Sequence, residues 1–297
     1  MQKWRCVLSQ PAYYKKLWKQ YSADLDLEEG SFLRSSPPRH PMHARQEPLA
    51  TDSESIDASW YKGIIGALNY LAIMTRPDIS YCMSVLASKC NSPDKGDFRR
   101  VKHLFRFVMG TRHLGLNFQC DSDMQLHIWA DASYASHSDA RSQTGYCFAL
   151  GETNAAFYVK STRQHLVTLS STESEYVACF HSICEAVFLR RLLEQLGFPQ
   201  ELLPLFQDNQ SVLHWLEGRQ NFHRCKHMHV KYEYCRQMRL ERVIAPEYLI
   251  TTEQIADIFT KPLLNNHYEY LASGVLGIYS FAERIENEQF QEVLLSE

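Results

Sequence analysis

The chain has 297 residues, 45% of them hydrophobic and 22% charged, with a formal net charge of −3. That length supports one large domain or two modest ones with real cores, in an ordinary globular composition. The charge excludes recruitment of nucleic acid by an overall field, so any such surface must come from local segregation of Lys and Arg.

Met1 to Tyr21 mixes Lys and Arg through its apolar residues and lacks the continuous apolar run of a signal peptide or membrane span. Leu8 to Tyr21 reads as an amphipathic helix, with Tyr13, Leu17, Trp18 and Tyr21 at helical spacing. From Ser22 to about Ser59 the pattern dissolves into Glu, Ser and Pro, as in a linker. Three helices are expected next: Trp60–Met74, one that opens at Pro77, and Asp94–Met109 with Gly110 as its stop. The third carries Arg99, His103 and Arg106 along one face, a basic stripe that reads either as a solvated face or as a nucleic-acid contact through Arg99 and Arg106.

After Gly110 the period changes. Leu114–Gln119, Gln125–Ala130, Thr144–Leu150 and Ala156–Val159 read as short strands. A long helix follows over about Ser171–Leu196, with Ser170 and Glu173 spaced as a capping box. Leu203–Gln207 is a further strand, Asn209–Leu216 a short helix, Val230–Leu240 helical, Val243–Leu249 extended and Thr252–Phe259 a final short helix. Antiparallel strands, then a helix, then strands and helices in alternation make a mixed α/β domain.

These elements set four acids apart. Asp131 ends a strand, Glu175 lies in the first turns of the long helix, Asp208 follows a strand and Asp257 sits in the last helix. Singly, each has a plain structural reading, as a cap or as a complement to a helix dipole. Their joint order is what carries information.

That order resembles ribonuclease H, and the surrounding words are more specific. Trp129-Ala130-Asp131-Ala132-Ser133-Tyr134, Arg141-Ser142-Gln143-Thr144-Gly145-Tyr146, Ser170–Ala178 around Glu175, Asp208-Asn209-Gln210-Ser211 and Ala256–Pro262 resemble the ribonuclease H region of copia-type retrotransposon Pol polyproteins. Tyr61–Leu71 with Thr75–Ile79 is similar to the stretch between polymerase and ribonuclease H, and Leu8-Ser9-Gln10-Pro11 to the end of the polymerase. The resemblance implies a ribonuclease H-like mixed sheet with flanking helices, preceded by a mainly helical thumb or connection region. The implied organisation is 1–58 as polymerase end and linker, 59–120 as helical connection, 121–265 as the ribonuclease H-like domain and 266–297 as a tail. No stretch resembles the polymerase's Tyr-x-Asp-Asp turn, so the chain is expected to be a downstream part of a polyprotein or a truncated copy. It is also expected to be intracellular, in a cytoplasmic particle or the nucleus.

Asp131, Glu175, Asp208 and Asp257 are then the implied catalytic residues and ligands to two Mg²⁺ ions, with Mn²⁺ as a substitute. Glu173 and Glu175 point about 200° apart on a helix. The family's glutamate precedes a small residue three positions on, which matches Glu175 with Ala178 and leaves Glu173 as a cap. Two ions about 3.5–4 Å apart suit hydrolysis of a phosphodiester, here in the RNA strand of an RNA·DNA hybrid. Ser133, Asn209 and Gln210 are candidates for 2′-hydroxyl contacts, and Lys160, Arg163 and Gln164 for phosphate contacts. The upstream polymerase portion is the implied protein partner, and no membrane is involved.

Two further features invite other readings. His223, Cys225, His227, His229 and Cys235 have a spacing that fits no common zinc pattern. The family usually has Asp where His229 stands, and His227 is the choice for a role in product release. The nine cysteines, with no paired CxxC, read as buried free thiols. The competing functional readings are an inactive remnant with at most nucleic-acid binding, and an integrase- or transposase-type core, whose last ligand is normally a late-helix Glu rather than Asp257.

Overall fold

A computed structural model describes residues 5–28, 37–42, 54–119, 124–218 and 228–279. A five-stranded mixed sheet lies between two helical layers. Its strands are β3 (Leu126–Ser133), β4 (Gln143–Leu150), β5 (Tyr158–Arg163), β6 (Leu203–Gln207) and β7 (Ile244–Tyr248), in the order β5-β4-β3-β6-β7. The first three are antiparallel neighbours, while β6 joins β3 and β7 joins β6 in parallel. This is the ribonuclease H-like α/β arrangement expected from the sequence. β1 (Arg5–Leu8) and β2 (Leu116–Gln119) form a separate antiparallel pair. The run from Leu114 therefore does not extend the main sheet.

The sheet is covered on both faces, and every residue of β3 from Leu126 to Ser133 is buried or half-buried. Leu126, Ile128 and Ala130 face a core made with α5 (Ser171–Gln195), α6 (Gln210–Leu216) and α7 (His229–Leu240). Trp129 packs on the opposite core, made by α1 (Pro11–Tyr21), α2 (Ala58–Met74), α3 (Ser80–Ala87), α4 (Lys95–Gly110) and α8 (Asn265–Val275). The alternation of a half-buried strand supplies both sets of contacts from one segment. Asp57 caps α2 and Asp94 caps α4, the latter in a reciprocal capping box with Asp97. Pro77 opens a single 3₁₀ turn, Pro77–Ile79, which leads into α3.

Three expectations are corrected. The final short helix is two 3₁₀ turns, Thr251–Glu253 and Ile255–Phe259. The expected tail from 266 opens with α8, which buries Tyr268, Tyr270, Leu271 and Val275 in the core on the Trp129 face. The expected boundaries near 120 and 265 do not separate cores, since α1 to α4, α8 and the Ile255–Phe259 turn share one hydrophobic cluster. Among the described residues no helix is long and apolar enough to cross a membrane. All seven described cysteines are free, and Cys82, Cys147, Cys179 and Cys235 are buried, as the sequence suggested.

Candidate metal centre

Asp131 sits near the end of β3, opposite Gly145 of β4, and is buried. Thr260 donates its hydroxyl to Asp131 Oδ2 at 2.5 Å, fixing the carboxylate from the following turn. Glu175 is set by the start of α5. Ser170 accepts the Glu173 amide at 3.2 Å, and Glu173 reaches back to accept the Leu169 amide at 2.8 Å. Glu173 is thereby committed to closing the helix end, and the helical rotation of about 200° turns Glu175 the other way. Asp208 lies in the turn after β6, where the buried Gln207 accepts the amides of Asp208 (2.8 Å) and Asn209 (3.3 Å). Asn209 caps α6 and donates its side-chain amide to Glu175 Oε1 at 3.1 Å.

These three acids converge. Each of Asp131, Glu175 and Asp208 offers one carboxylate oxygen within 4.8 Å of the others. Asp257 is not in that trio. It lies on the Ile255–Phe259 turn, which the preceding Gln254 side chain anchors to the Ala130 carbonyl of β3 at 3.3 Å. Its carboxylate interacts with Asp131 and pairs with Lys261, whose Nζ is 2.7 Å from Asp257 Oδ2.

The electrostatics follow from packing acids together away from water. Burial, reinforced by Asp131, raises Glu175 to about 8. Burial and the same neighbour raise Asp208 and push Asp257 well above the usual carboxylate range. Among the described residues, three buried carboxylate oxygens, Glu175 Oε2 and both of Asp257, accept no hydrogen bond, and Asp257 Oδ2 has only the Lys261 ion pair. An unpartnered buried carboxylate oxygen is costly, and a hard cation with oxygen ligands is what would satisfy it. The cluster therefore fits a divalent ion.

The other expected site residues divide. Ser133 is half-buried at the end of β3, Gln210 is exposed at the start of α6, and Lys160 and Arg163 are exposed on the edge strand β5. Arg163 lies 3.4 Å from Asp139. Gln164 is a correction: it is buried and donates to Thr144 Oγ1 (2.9 Å) and the Ser174 carbonyl (2.8 Å), tying β5 to α5 instead of meeting a phosphate. Arg99 and Arg106 lie on α4, which packs on α2 and α3. His227 falls outside the described residues. His229 is exposed, whereas Cys235 is buried between α7 and α5, so these two do not converge on a metal.

Four contributors were missed. Thr260 and Lys261 stand inside the Ala256–Pro262 stretch, but a 3₁₀ turn lacks the period that would sort their faces. Gln207 had no signal at all. Gly145 is needed for close approach: a Cβ there would lie 2.6 Å from Thr260 Cγ2 and 2.9 Å from the Ala256 carbonyl oxygen.

Comparison with known proteins gives the lineage. The chain is 32% identical over 221 residues to the retrovirus-related Pol polyprotein from transposon TNT 1-94 of Nicotiana tabacum, covering 74% of this chain and 16% of that protein. It is 29% identical over 260 residues to the corresponding polyprotein from transposon RE1 of Arabidopsis thaliana, covering 86% of this chain and 18% of that one. This chain belongs to the copia-type retrotransposon Pol polyproteins. It spans less than a fifth of the length of these relatives. No family model matches the chain. Among solved structures, the N-terminal ribonuclease H domain of rv2228c from Mycobacterium tuberculosis is similar at 14% identity and a TM-score of 0.37, covering 51% of this chain and 98% of that one. The fold of this copia-type Pol segment rests on its own strand order and directions.

Proposed function

We propose that this segment is a metal-dependent ribonuclease H that cleaves the RNA strand of RNA·DNA hybrids. The observation that carries the reading is the convergence of Asp131, Glu175 and Asp208 within 4.8 Å, with Asp257 beside Asp131. Those four carboxylates would hold two Mg²⁺ ions, which supply neutralisation of phosphate charge and activation of water.

The remaining work falls to the chain's own side chains. Asn209 orients Glu175, and Thr260 holds Asp131 through Oδ2. Gln207 keeps the Asp208 turn in register through two amides. Lys160 and Arg163, exposed on β5, would meet backbone phosphates, which position a duplex without reading its sequence. Ser133 and Gln210 supply hydroxyl and amide groups suited to a ribose 2′-hydroxyl, the feature that separates RNA from DNA. The polymerase portion of the same polyprotein would present the hybrid, in a cytoplasmic particle or the nucleus.

The test is direct. The purified chain is incubated with a labelled RNA·DNA hybrid and Mg²⁺. Cleavage of the RNA strand, lost in Asp131→Asn, is expected, with no DNA strand transfer. An inert wild-type chain across Mg²⁺ and Mn²⁺ concentrations would leave a folded remnant instead.

A further inference from the structure

Lys261 stands where the fourth carboxylate would meet a cation. Its Nζ lies 2.7 Å from Asp257 Oδ2, and the Lys261 amide donates to the Asp257 carbonyl at 3.2 Å, so the local turn fixes the pair. The Asp257 side chain is 1% exposed whereas that of Lys261 is 41% exposed. The acid is therefore locked in place, and the ammonium has an open route to solvent on a flexible stem. The same ammonium interacts with Asp131 and Asp208, and it also acts on Glu175.

Charge counting gives this contact a consequence. In the deprotonated form that a divalent ion requires, the four carboxylates and one ammonium leave the centre three charges negative. One divalent ion leaves a single net negative charge, whereas a second would turn the centre net positive while Lys261 stays in place. A second ion on the Asp131–Asp257 side would also lie beside a like charge in a partly buried site, where screening is weak.

We propose that Lys261 is a resident counter-cation that makes the two metal positions unequal. One ion enters on Asp131, Glu175 and Asp208, and the second enters as Lys261 withdraws from Asp257. The inference rests on the metal-centre reading above and concerns stoichiometry, not turnover.

The experiment titrates the full chain with Mn²⁺ and follows the free ion by electron paramagnetic resonance, with calorimetry in parallel. Wild type should bind one ion tightly and a second at least roughly tenfold more weakly, and Lys261→Met and Lys261→Gln should tighten the second about tenfold. Lys261→Arg, which keeps the charge, should retain the weak second position. Asp257→Asn should bind one ion in either background. Melting curves in EDTA report folding of each variant, and two neutral replacements guard against one of them failing to fold. An unchanged or weaker second ion in the folded neutral variants would overturn the proposal and leave the metal centre standing. A wild type that binds no Mn²⁺ at all would overturn the metal reading itself.

Discussion

Asn209 donates its side-chain amide to Glu175 Oε1 at 3.1 Å while its own Oδ1 accepts the amides of Ser211 and Val212. One residue thus caps α6 and orients an acid on α5. Serine caps a helix about as well as asparagine but is too short to take over the longer amide's contact with Glu175. Asn209→Ser should therefore melt near wild type yet bind Mn²⁺ more weakly. Asn209→Ala should lose both functions, with about 0.5–2 kcal/mol of stability gone with the cap. Denaturant melts and Mn²⁺ titration of the two variants separate the roles, and equal metal affinity in wild type and Asn209→Ser would refute the orienting role.

Glu175, raised to about 8, sets a pH dependence with a definite sign. An acid with a raised folded pKa keeps its proton in the native state while the unfolded chain releases it, so stability falls as pH climbs from the ordinary carboxylate range to about 8. Divalent ions bind the deprotonated form and oppose this. In EDTA, Glu175→Gln should match wild type near pH 5 and exceed it at pH 8, by about 1–3 kcal/mol for an unsatisfied buried polar group. With saturating Mg²⁺ the order should reverse. Thermal melts from pH 5 to 8.5 in both conditions check it; a difference independent of pH would refute the assignment of the shift to Glu175.

Much of this was legible in the chain, and the reasons are particular. The strand that carries Asp131 declares itself by Leu126, Ile128 and Ala130 alternating with Trp129, because one face of β3 must meet α5. The choice of Glu175 over Glu173 follows from helical rotation and from the cap that occupies Glu173. The Thr251–Phe259 segment was less legible. Its 3₁₀ turns have no sustained period, and every residue from Thr252 to Thr260 is buried whatever its polarity. α8 was missed because Tyr268, Tyr270 and Leu271 mingle with Asn265, Asn266, His267 and Glu269, a weak pattern when read without the core it fills.

That helix gives the third prediction. Tyr270, fully buried, donates its hydroxyl to Glu253 Oε1 on the turn before Asp257. Tyr268 donates to Asp78 Oδ2 at 2.9 Å, within the buried Arg76–Asp78 ion pair. A chain ending at Leu264 would strip four large side chains, Tyr268, Tyr270, Leu271 and Val275, from one core. Loss of a single large core side chain costs about 2–5 kcal/mol, so this truncation should abolish cooperative unfolding. Tyr270→Phe, which removes only the hydroxyl, should cost about 1–3 kcal/mol by taking a partner from a buried carboxylate. Calorimetry of both checks this. A truncated chain with an unchanged melt would show that the domain closes at Pro262.

Gly145 supplies the last prediction, at the contact between β4 and the turn that bears Asp257. An added Cβ would lie 2.6 Å from Thr260 Cγ2, 2.8 Å from Phe259 Cβ and 2.9 Å from the Ala256 carbonyl oxygen. Two of these belong to side chains, but Phe259 is fully buried and the carbonyl is backbone, so the turn itself must move. Overpacking of this kind costs about 1–3 kcal/mol. The displaced elements carry Thr260, which holds Asp131, and Asp257 itself. Gly145→Ala should thus lower both the melting temperature and the Mn²⁺ affinity, whereas Gly66→Ala, where nothing lies within 4 Å, should change neither beyond a small gain in helix propensity. If Gly145→Ala binds Mn²⁺ as wild type does, the turn tolerates displacement, and the close approach of β4 serves packing alone.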